Sequence, residues 1–559
     1  MLPEAGAGAR DRVVSAQGDA TGPTGTSPAA PTVPAILDVA RRTGYVVGAN
    51  SKGAPAGATW SFLLPRLPMG RVAVVGTSTA AARARLDELA AEVIDGLPAD
   101  GTADLIWVAP ASDRPAPARA TLAAALSAGG LVVDERPDPA GPGPTDGIRY
   151  RVLRRGDDIV VAIPDGEQAA EAWLRSRGLA GSGRASLVDR LRRHGSIVRR
   201  RTRVPPAAWG SLDLAGPAGP DGRAVSQGPV AYLRDLAHAA GVDISAHTMA
   251  LSATGPYRTQ KVLVPLFPPG AGEPDLIVKM TRHPSVNPRL QVELDGLRWL
   301  ATLGPAVAER VPAVRFAGMH ADMLVVGETV LDGGRFHARG AARHPLAADA
   351  VGWLTELAAC TARHVDARDA AAALDDLLDA YIAADGPGRA LADVLRAQVD
   401  RIRRSDAPFP VVAQHGDPGT WNLVALPGHR TGVLDWENLE RQGMPLWDLF
   451  YLLRSLGVGD GPRRPLERRL GHVQRTLLDE SDLTPFIVGA VRRYCSRVGV
   501  ADDLVEPLFH LGWMYQALKE VTRLQPGHLG EGHFYALLRR GFERRDRGTL
   551  HHLFRGTST

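Results

Sequence analysis

The stretch 411–453, VVAQHGDPGTWNLVALPGHRTGVLDWENLERQGMPLWDLFYLL, constrains the fold more than any other part of the chain. Val411 to Ala413 is an apolar run that ends at Gln414-His415-Gly416-Asp417. Pro418-Gly419 then forces a turn, and Trp421-Asn422-Leu423 leads into a second apolar run. Four residues separate Asp417 from Asn422, so both side chains converge if the Pro-Gly bend reverses the chain. Residues 431–434 read as a short strand, and a strand end can push Asp435 into a cleft while its backbone stays bonded. Three oxygen-bearing side chains are therefore expected at one place.

Magnesium takes carboxylate and amide oxygens while keeping phosphate and water ligands, and phosphoryl transfer also needs a carboxylate to orient the attacking hydroxyl. The pattern His415-Gly-Asp-x-x-x-x-Asn422, followed by Leu434-Asp-Trp-Glu437 and Pro445-Leu-Trp-Asp448, resembles the aminoglycoside phosphotransferase and choline kinase-like superfamily. That superfamily has a fold similar to protein kinases. The resemblance implies an α+β two-lobed kinase-like fold, with Asp417 as catalytic base and Asn422 and Asp435 as metal ligands. It also implies ATP and Mg²⁺ as cofactors, His415 and Gly416 shaping the loop, and Asp448 bracing it at the start of a helix. The expected function is phosphorylation of a hydroxyl on a small molecule such as a sugar, an antibiotic or a biosynthetic intermediate. A nucleotide-binding scaffold without transfer activity is the alternative.

Ahead of this stretch, residues 230–240 have helical spacing, and 243–252, 261–267 and 275–280 read as strands. The turn 252–257 either covers ATP phosphates or is a plain hairpin turn. Only four of the 65 Lys and Arg residues are lysines: Lys52, Lys261, Lys279 and Lys519. In so arginine-rich a chain, the lysine of Leu276-Ile-Val-Lys-Met280 is informative, because a compact ammonium on a strand can reach the α- and β-phosphates where a broad guanidinium does not fit. Glu293, fourteen residues on, opens an amphipathic segment in which Leu294, Leu297 and Leu300 share a face, and is the natural partner of Lys279. Asp295 is the competing choice. A strand over 323–326 places the hinge at 327–330, so that the backbone of Glu328 and Val330 is expected to read the adenine.

Before residue 204 strands and helices alternate: strand 71–75, helix 80–93, strand 104–108, helix 118–126 and strand 131–133, then extended chain over 150–164 and a surface helix over 167–177. That alternation argues for a parallel α/β sheet of Rossmann type. Residues 122–134, with 104–108 before them, resemble the later half of class I S-adenosylmethionine-dependent methyltransferases. The turn after the first strand, Gly76-Thr-Ser-Thr79, has one glycine where close backbone approach to a cofactor asks for several. A non-catalytic Rossmann-like domain is the reading, and a bifunctional protein with an N-terminal methyltransferase is its alternative.

The domain plan is therefore a disordered tail over 1–33, the α/β domain over 34–204, a Pro- and Gly-rich linker over 205–227, a kinase-like small lobe over 228–330 and a helical large lobe over 331–559. The basic run at 190–201 reads as a solvated helix face or as a site for an anionic partner. Net charge is only +4, which argues against nucleic acid or an anionic membrane as partner. Neither a secretory leader nor an apolar run of about 18 residues is apparent, so a cytoplasmic protein is expected. Cys360 and Cys495 read as buried thiols. The acceptor is a small-molecule alcohol. Arginine pairs at 463–464, 468–469, 492–493, 539–540 and 544–545, mostly surface residues by expectation, favour a neutral or anionic one over a polycation.

Overall fold

The computed structural model describes residues 58–555, except 66, 68, 110–116, 136–143, 145–146, 156–157, 178–208, 217–227, 255–259, 337–343, 385–388, 459–465 and 522–531. The expected tail, the basic run at 190–201 and most of the turn 252–257 lie outside the described residues.

Apolar, β-branched segments pair into one 13-stranded sheet. In chain order its strands are β1 (Met69–Val75), β2 (Ala90–Asp95), β3 (Ala103–Val108), β4 (Leu126–Asp134), β5 (Gly147–Arg155), β6 (Asp158–Pro164) and β7 (Trp209–Ala215), followed by β8 (Thr248–Met249), β9 (Leu251–Ser252), β10 (Val262–Phe267), β11 (Leu276–Met280), β12 (Val314–His320) and β13 (Met323–Thr329). Their spatial order is β12-β13-β11-β10-β9-β6-β5-β7-β4-β3-β1-β2, with β8 also beside β10. The pairs β1/β2, β1/β3 and β3/β4 are parallel. From β4 to β12 every pair is antiparallel.

Three expectations for this half need correction. Helix 80–93 divides into α1 (Ala80–Leu89) and the strand β2, because Val93 and Ile94 gain parallel partners in Val72 and Ala73. Long-range pairing here overrides a helix-compatible local sequence. The segment read as a linker contains β7, whose Leu212 and Leu214 are buried and which joins β4 to β5. The α/β unit and the small lobe are not separated either: Val161 and Ala162 of β6 pair with Ser252 and Leu251 of β9. One apolar cluster joins Val72, Leu105 and Tyr150 to Tyr232, Val264, Val278 and Phe316.

Short helices α2 (Arg119–Ala124), α3 (Gln168–Arg177) and α4 (Ala231–Ala239) accompany the sheet. In α5 (Asn287–Leu300), Leu290, Leu294, Leu297 and Leu300 recur at helical spacing and are buried, and Glu293 is carried inward with them. A Cβ on Gly296 would stand 2.6 Å from Leu439 Cδ2, so the missing side chain lets this helix close onto the segment that follows Asp435.

The second half is helical: α6 (Pro345–Thr361), α7 (Ala367–Ala383), α8 (Arg389–Arg403), α9 (Trp447–Val458), α10 (Leu466–Val473), α11 (Thr484–Val498), α12 (Val505–Val521), α13 (His533–Glu543) and α14 (Gly548–Phe554). Six short strands are set into it: β14 (Gly334–Arg335), β15 (Arg363–Val365), β16 (Phe409–Gln414), β17 (Leu423–Leu426), β18 (Arg430–Val433) and β19 (Glu440–Gly443). The largest apolar cluster, from Leu297 to Leu553, seats β16, β17 and β18 on the helices. Cys495 is buried as expected, whereas Cys360 is exposed on α6; both are free thiols. Among the described residues no helix is long and apolar enough to cross a membrane.

Candidate active site

Strand β16 is buried along its length and delivers the chain to His415. Gly416 has φ +81°, and a Cβ there would lie 2.5 Å from the Asn438 carbonyl oxygen, so only glycine fits. The loop is fixed from two sides. Asp448, in the first turn of α9, accepts hydrogen bonds from the backbone N–H groups of His415 and Gly416. Burial raises the Asp448 carboxyl above its ordinary value, although His415 and these N–H groups oppose that. The buried His415 ring donates from Nε2 to the Leu434 carbonyl (2.8 Å) and accepts the Asp417 N–H at Nδ1 (3.2 Å). Those two partners set its tautomer.

Asp417 is consequently held in one pose. Trp421 Nε1 and Asn422 Nδ2 each approach its Oδ2 at 3.4 Å, and Asn422 Nδ2 also donates to the Asp417 carbonyl at 2.9 Å. The other carboxylate oxygen, Oδ1, is buried and has no hydrogen-bond partner among the described residues. Asn422 faces Asp417 with its amide nitrogen, which leaves the amide oxygen as its acceptor end. Its backbone carbonyl takes the Leu434 N–H at 2.9 Å, locking the two sides of the β17–β18 hairpin and placing Asn422 beside Asp435. Asp435 has φ +66°, a left-handed conformation that short polar side chains tolerate.

An ion-pair chain crosses from this hairpin to the sheet. Lys261 Nζ contacts Asp435 Oδ1 (2.7 Å), Glu293 Oε2 (2.6 Å) and Glu437 Oε2 (3.0 Å). Lys279 Nζ contacts Glu293 Oε1 (2.5 Å) and Glu328 Oε1 (2.6 Å). Burial alone would lower both ammoniums, but the surrounding carboxylates outweigh it and hold them above the ordinary value. Burial likewise pushes Glu293 and Asp435 up, and the two lysines more than reverse it. Glu328 differs: burial, reinforced by Glu293, outweighs Lys279 and raises it to about 7.

The lysine and glutamate pairing expected from the sequence, Lys279 with Glu293, is present, and Asp435 joins it through Lys261. Asp295 instead accepts from Gln291 on the exposed side of α5. Lys261 was not picked out beforehand, although lysine scarcity was the signal that could have found it. Three of the four lysines reach this region, since Lys519 of α12 donates to the Gly416 carbonyl at 2.9 Å. Glu437 was also missed.

The hinge expectation changes. Glu328 lies within β13, flanked by Ile277 and by Val314, so its backbone has no open edge, and its side chain serves Lys279 instead. The Val330 N–H already donates to the Asp275 carbonyl at 2.9 Å. Order along the chain could not show where the strand leaves the ladder.

The donor set fits a divalent cation and a phosphate chain. Two ammoniums stand among four carboxylates, Glu293, Glu328, Asp435 and Glu437, which leaves a deficit of positive charge where Asp435 is the most accessible member. No group of three or more His, Cys, Asp or Glu side chains among the described residues is arranged to hold a metal alone. An Asp and an Asn, supplemented by phosphate and water oxygens, suit magnesium.

Residues 269–480 match the model of the phosphotransferase enzyme family, a span that includes Lys279, Glu293, Asp417, Asn422, Asp435 and Asp448. Among solved structures, the choline kinase LicA from Streptococcus pneumoniae is similar at 16% identity over 51% of this chain and 89% of its own, with a TM-score of 0.31. The ADP-bound aminoglycoside phosphotransferase APH(2'')-Ib is similar at 15% identity over 54% of this chain and 93% of its own, with a TM-score of 0.30. No curated protein matches the sequence significantly.

Proposed function

We propose that the chain, whose residues 269–480 match the phosphotransferase enzyme family, transfers the γ-phosphoryl group of ATP to a hydroxyl of a small molecule. The observation that carries this reading is the pose of Asp417: one carboxylate oxygen is tied by Trp421 and Asn422, and the other is buried without a partner. An acceptor hydroxyl donating to Oδ1 would satisfy that oxygen, be oriented for attack and pass its proton there as the new bond to phosphorus forms. Lys279 and Lys261 would hold oxygens of the phosphate chain, with Glu293 fixing the direction of both ammoniums. Asn422 and Asp435 would hold Mg²⁺, which when bound supplies positive charge against the phosphate oxygens. A cytoplasmic location, where ATP is abundant, belongs to the same reading.

Replacing Asp417 by Asn tests it. The D417N protein is expected to bind ATP like the wild type by calorimetry, while kcat falls on the order of a thousandfold. Near-normal turnover would reject Asp417 as the base.

The parallel strands β1 to β4 belong in this reading to a non-catalytic Rossmann-like unit. A second reading gives that unit a methyl donor, and Gly76 favours it: this residue follows β1 with φ +102° and leads to Thr79, whose hydroxyl caps α1. Calorimetric titration of the full-length protein with S-adenosylmethionine decides between them.

A further inference from the structure

Trp421 projects from the candidate loop, 56% exposed, its Nε1 turned to Asp417. Behind it, α9 supplies Tyr451 and Arg454, and α13 supplies His533 and Phe534. The Arg454 guanidinium carbon lies 4.6 Å from the Tyr451 ring centre, 4.9 Å from Phe534 and 6.0 Å from Trp421. These three aromatic faces enclose a cation that belongs to the protein itself.

Arg454 is only 5% exposed, a costly location for a charge without a counter-charge. Its one hydrogen bond among the described residues runs from Nη1 to Nε2 of His533 (3.1 Å), and its Nε is buried without a partner. His533 must be neutral to accept that bond, and burial, with Arg454 next in weight, pushes it down to about 3. Arg469 on α10 is close enough to act on both Arg454 and His533, and its own Nε is buried without a partner. The carboxylates that act most on Arg454 are Asp417, engaged with Trp421 and Asn422, and Glu520, which accepts the Phe534 N–H at 2.9 Å. Neither forms an ion pair with Arg454 among the described residues.

From this juxtaposition of two guanidiniums with no carboxylate partner among the described residues, a neutral imidazole and an exposed indole beside Asp417, we infer that the acceptor alcohol carries an anionic group. That group, a carboxylate or a phosphate ester, binds at Arg454 and Arg469, while the carbon skeleton lies on Trp421 and presents its hydroxyl to Asp417. The protein's guanidinium already fills the aromatic enclosure, so a quaternary ammonium or an amino sugar is disfavoured there. The inference rests on the phosphotransferase reading and specifies its acceptor.

The test uses full-length protein with MgATP and alcohols in matched sets that differ in one substituent: neutral, ammonium, carboxylate or phosphate ester. ADP release gives kcat and KM for each. On whichever skeleton reacts fastest, a carboxylate or phosphate member should exceed the neutral member at least tenfold in kcat/KM, and the better of the two identifies the anion. Arg454→Met should raise KM for the anionic member tenfold or more with kcat changed far less, and Arg454→Lys should recover part of the loss. If Arg454→Met fails to fold, Arg469→Met and the wild-type ranking carry the test. A neutral or ammonium member in first place overturns the inference, as does an equal effect of Arg454→Met on neutral and anionic members. If no alcohol is phosphorylated, calorimetric titration with the same members decides: preferential binding of anions sustains the site, and its absence ends it. ATP titration is run separately, so that loss of nucleotide binding, which would sink the phosphotransferase reading, is distinguishable from a wrong acceptor.

Discussion

The two ends of the candidate site are charged in opposite senses. At the sheet end, two ammoniums are outnumbered by Glu293, Glu328, Asp435 and Glu437. At the helical end, Arg454 and Arg469 approach His533 with no carboxylate paired to either among the described residues. The first arrangement lacks positive charge, as suits a metal and a phosphate chain that arrive together. The second lacks negative charge, as suits an acidic substituent. Asp417 lies between them, with one oxygen committed to the loop and one without a partner. A buried charge is tolerated only with its complement, so the imbalance at each end indicates what each end binds.

The sharpest way to break this contrast is to cut the sheet-end network at its shared carboxylate. Glu293 is fully buried and bonds both lysines, so Glu293→Gln removes one charge-assisted bond from each, leaving Lys261 with Asp435 and Glu437 and Lys279 with Glu328 alone among the described residues. A loss of about 3 kcal/mol in unfolding free energy is expected from denaturant titration, because two charge-assisted hydrogen bonds are weakened at once. A loss below about 1 kcal/mol would mean that the network contributes little to folding. Next in size, Lys261→Met should raise the KM for ATP on the order of a hundredfold while sparing kcat. An unchanged KM would reduce Lys261 to a strap between β10 and the Asp435 hairpin.

The smallest effect concerns acid. His510 is fully buried, stacks on Phe542 at 3.7 Å and has neither ring nitrogen hydrogen-bonded among the described residues; burial first, then Arg545 and Arg401, lower it to about 3. Its folded value is below its unfolded one, so stability is complete above about pH 6.5 and is lost as pH falls towards 3. The cost should reach about 2 kcal/mol at pH 5. His510→Phe should remove that part of the acid sensitivity, read as a smaller drop in melting temperature between pH 7 and pH 5. An identical drop in both proteins would place the sensitivity elsewhere.

How much of this was legible depended on where the interactions lie along the chain. The candidate loop could be read because Asp417, Asn422 and Asp435 sit within nineteen consecutive residues whose turns are fixed by Pro and Gly. Lys279 and Glu293 were legible for a similar reason, on a strand and the helix after it. Lys261 was not, since a lysine at the start of a strand looks like any solvated strand end, and its contact with Asp435 spans 174 residues. Strand β7 was hidden because its sequence, WGSLDLA, sits in a Gly- and Pro-rich stretch and its partners are about 60 to 80 residues upstream. Asp448 was legible as a brace, but the pairing of Glu328 with Lys279 required knowing which face of β13 turns inward. Arg469 stood out only as half of one arginine pair among five, and Arg454 carries no local mark, being one arginine in a chain rich in them.

The lysine distribution has a practical consequence. Lys261, Lys279 and Lys519 all reach one region, and only Lys52 remains elsewhere in the sequence. Because Lys261 and Lys279 are buried in ion pairs that hold them protonated, primary-amine acylation followed by peptide mass mapping would report the opening of that region, with Lys52 the one lysine elsewhere. The extent of labelling, with and without nucleotide, would give a residue-resolved occupancy signal that needs no knowledge of the acceptor.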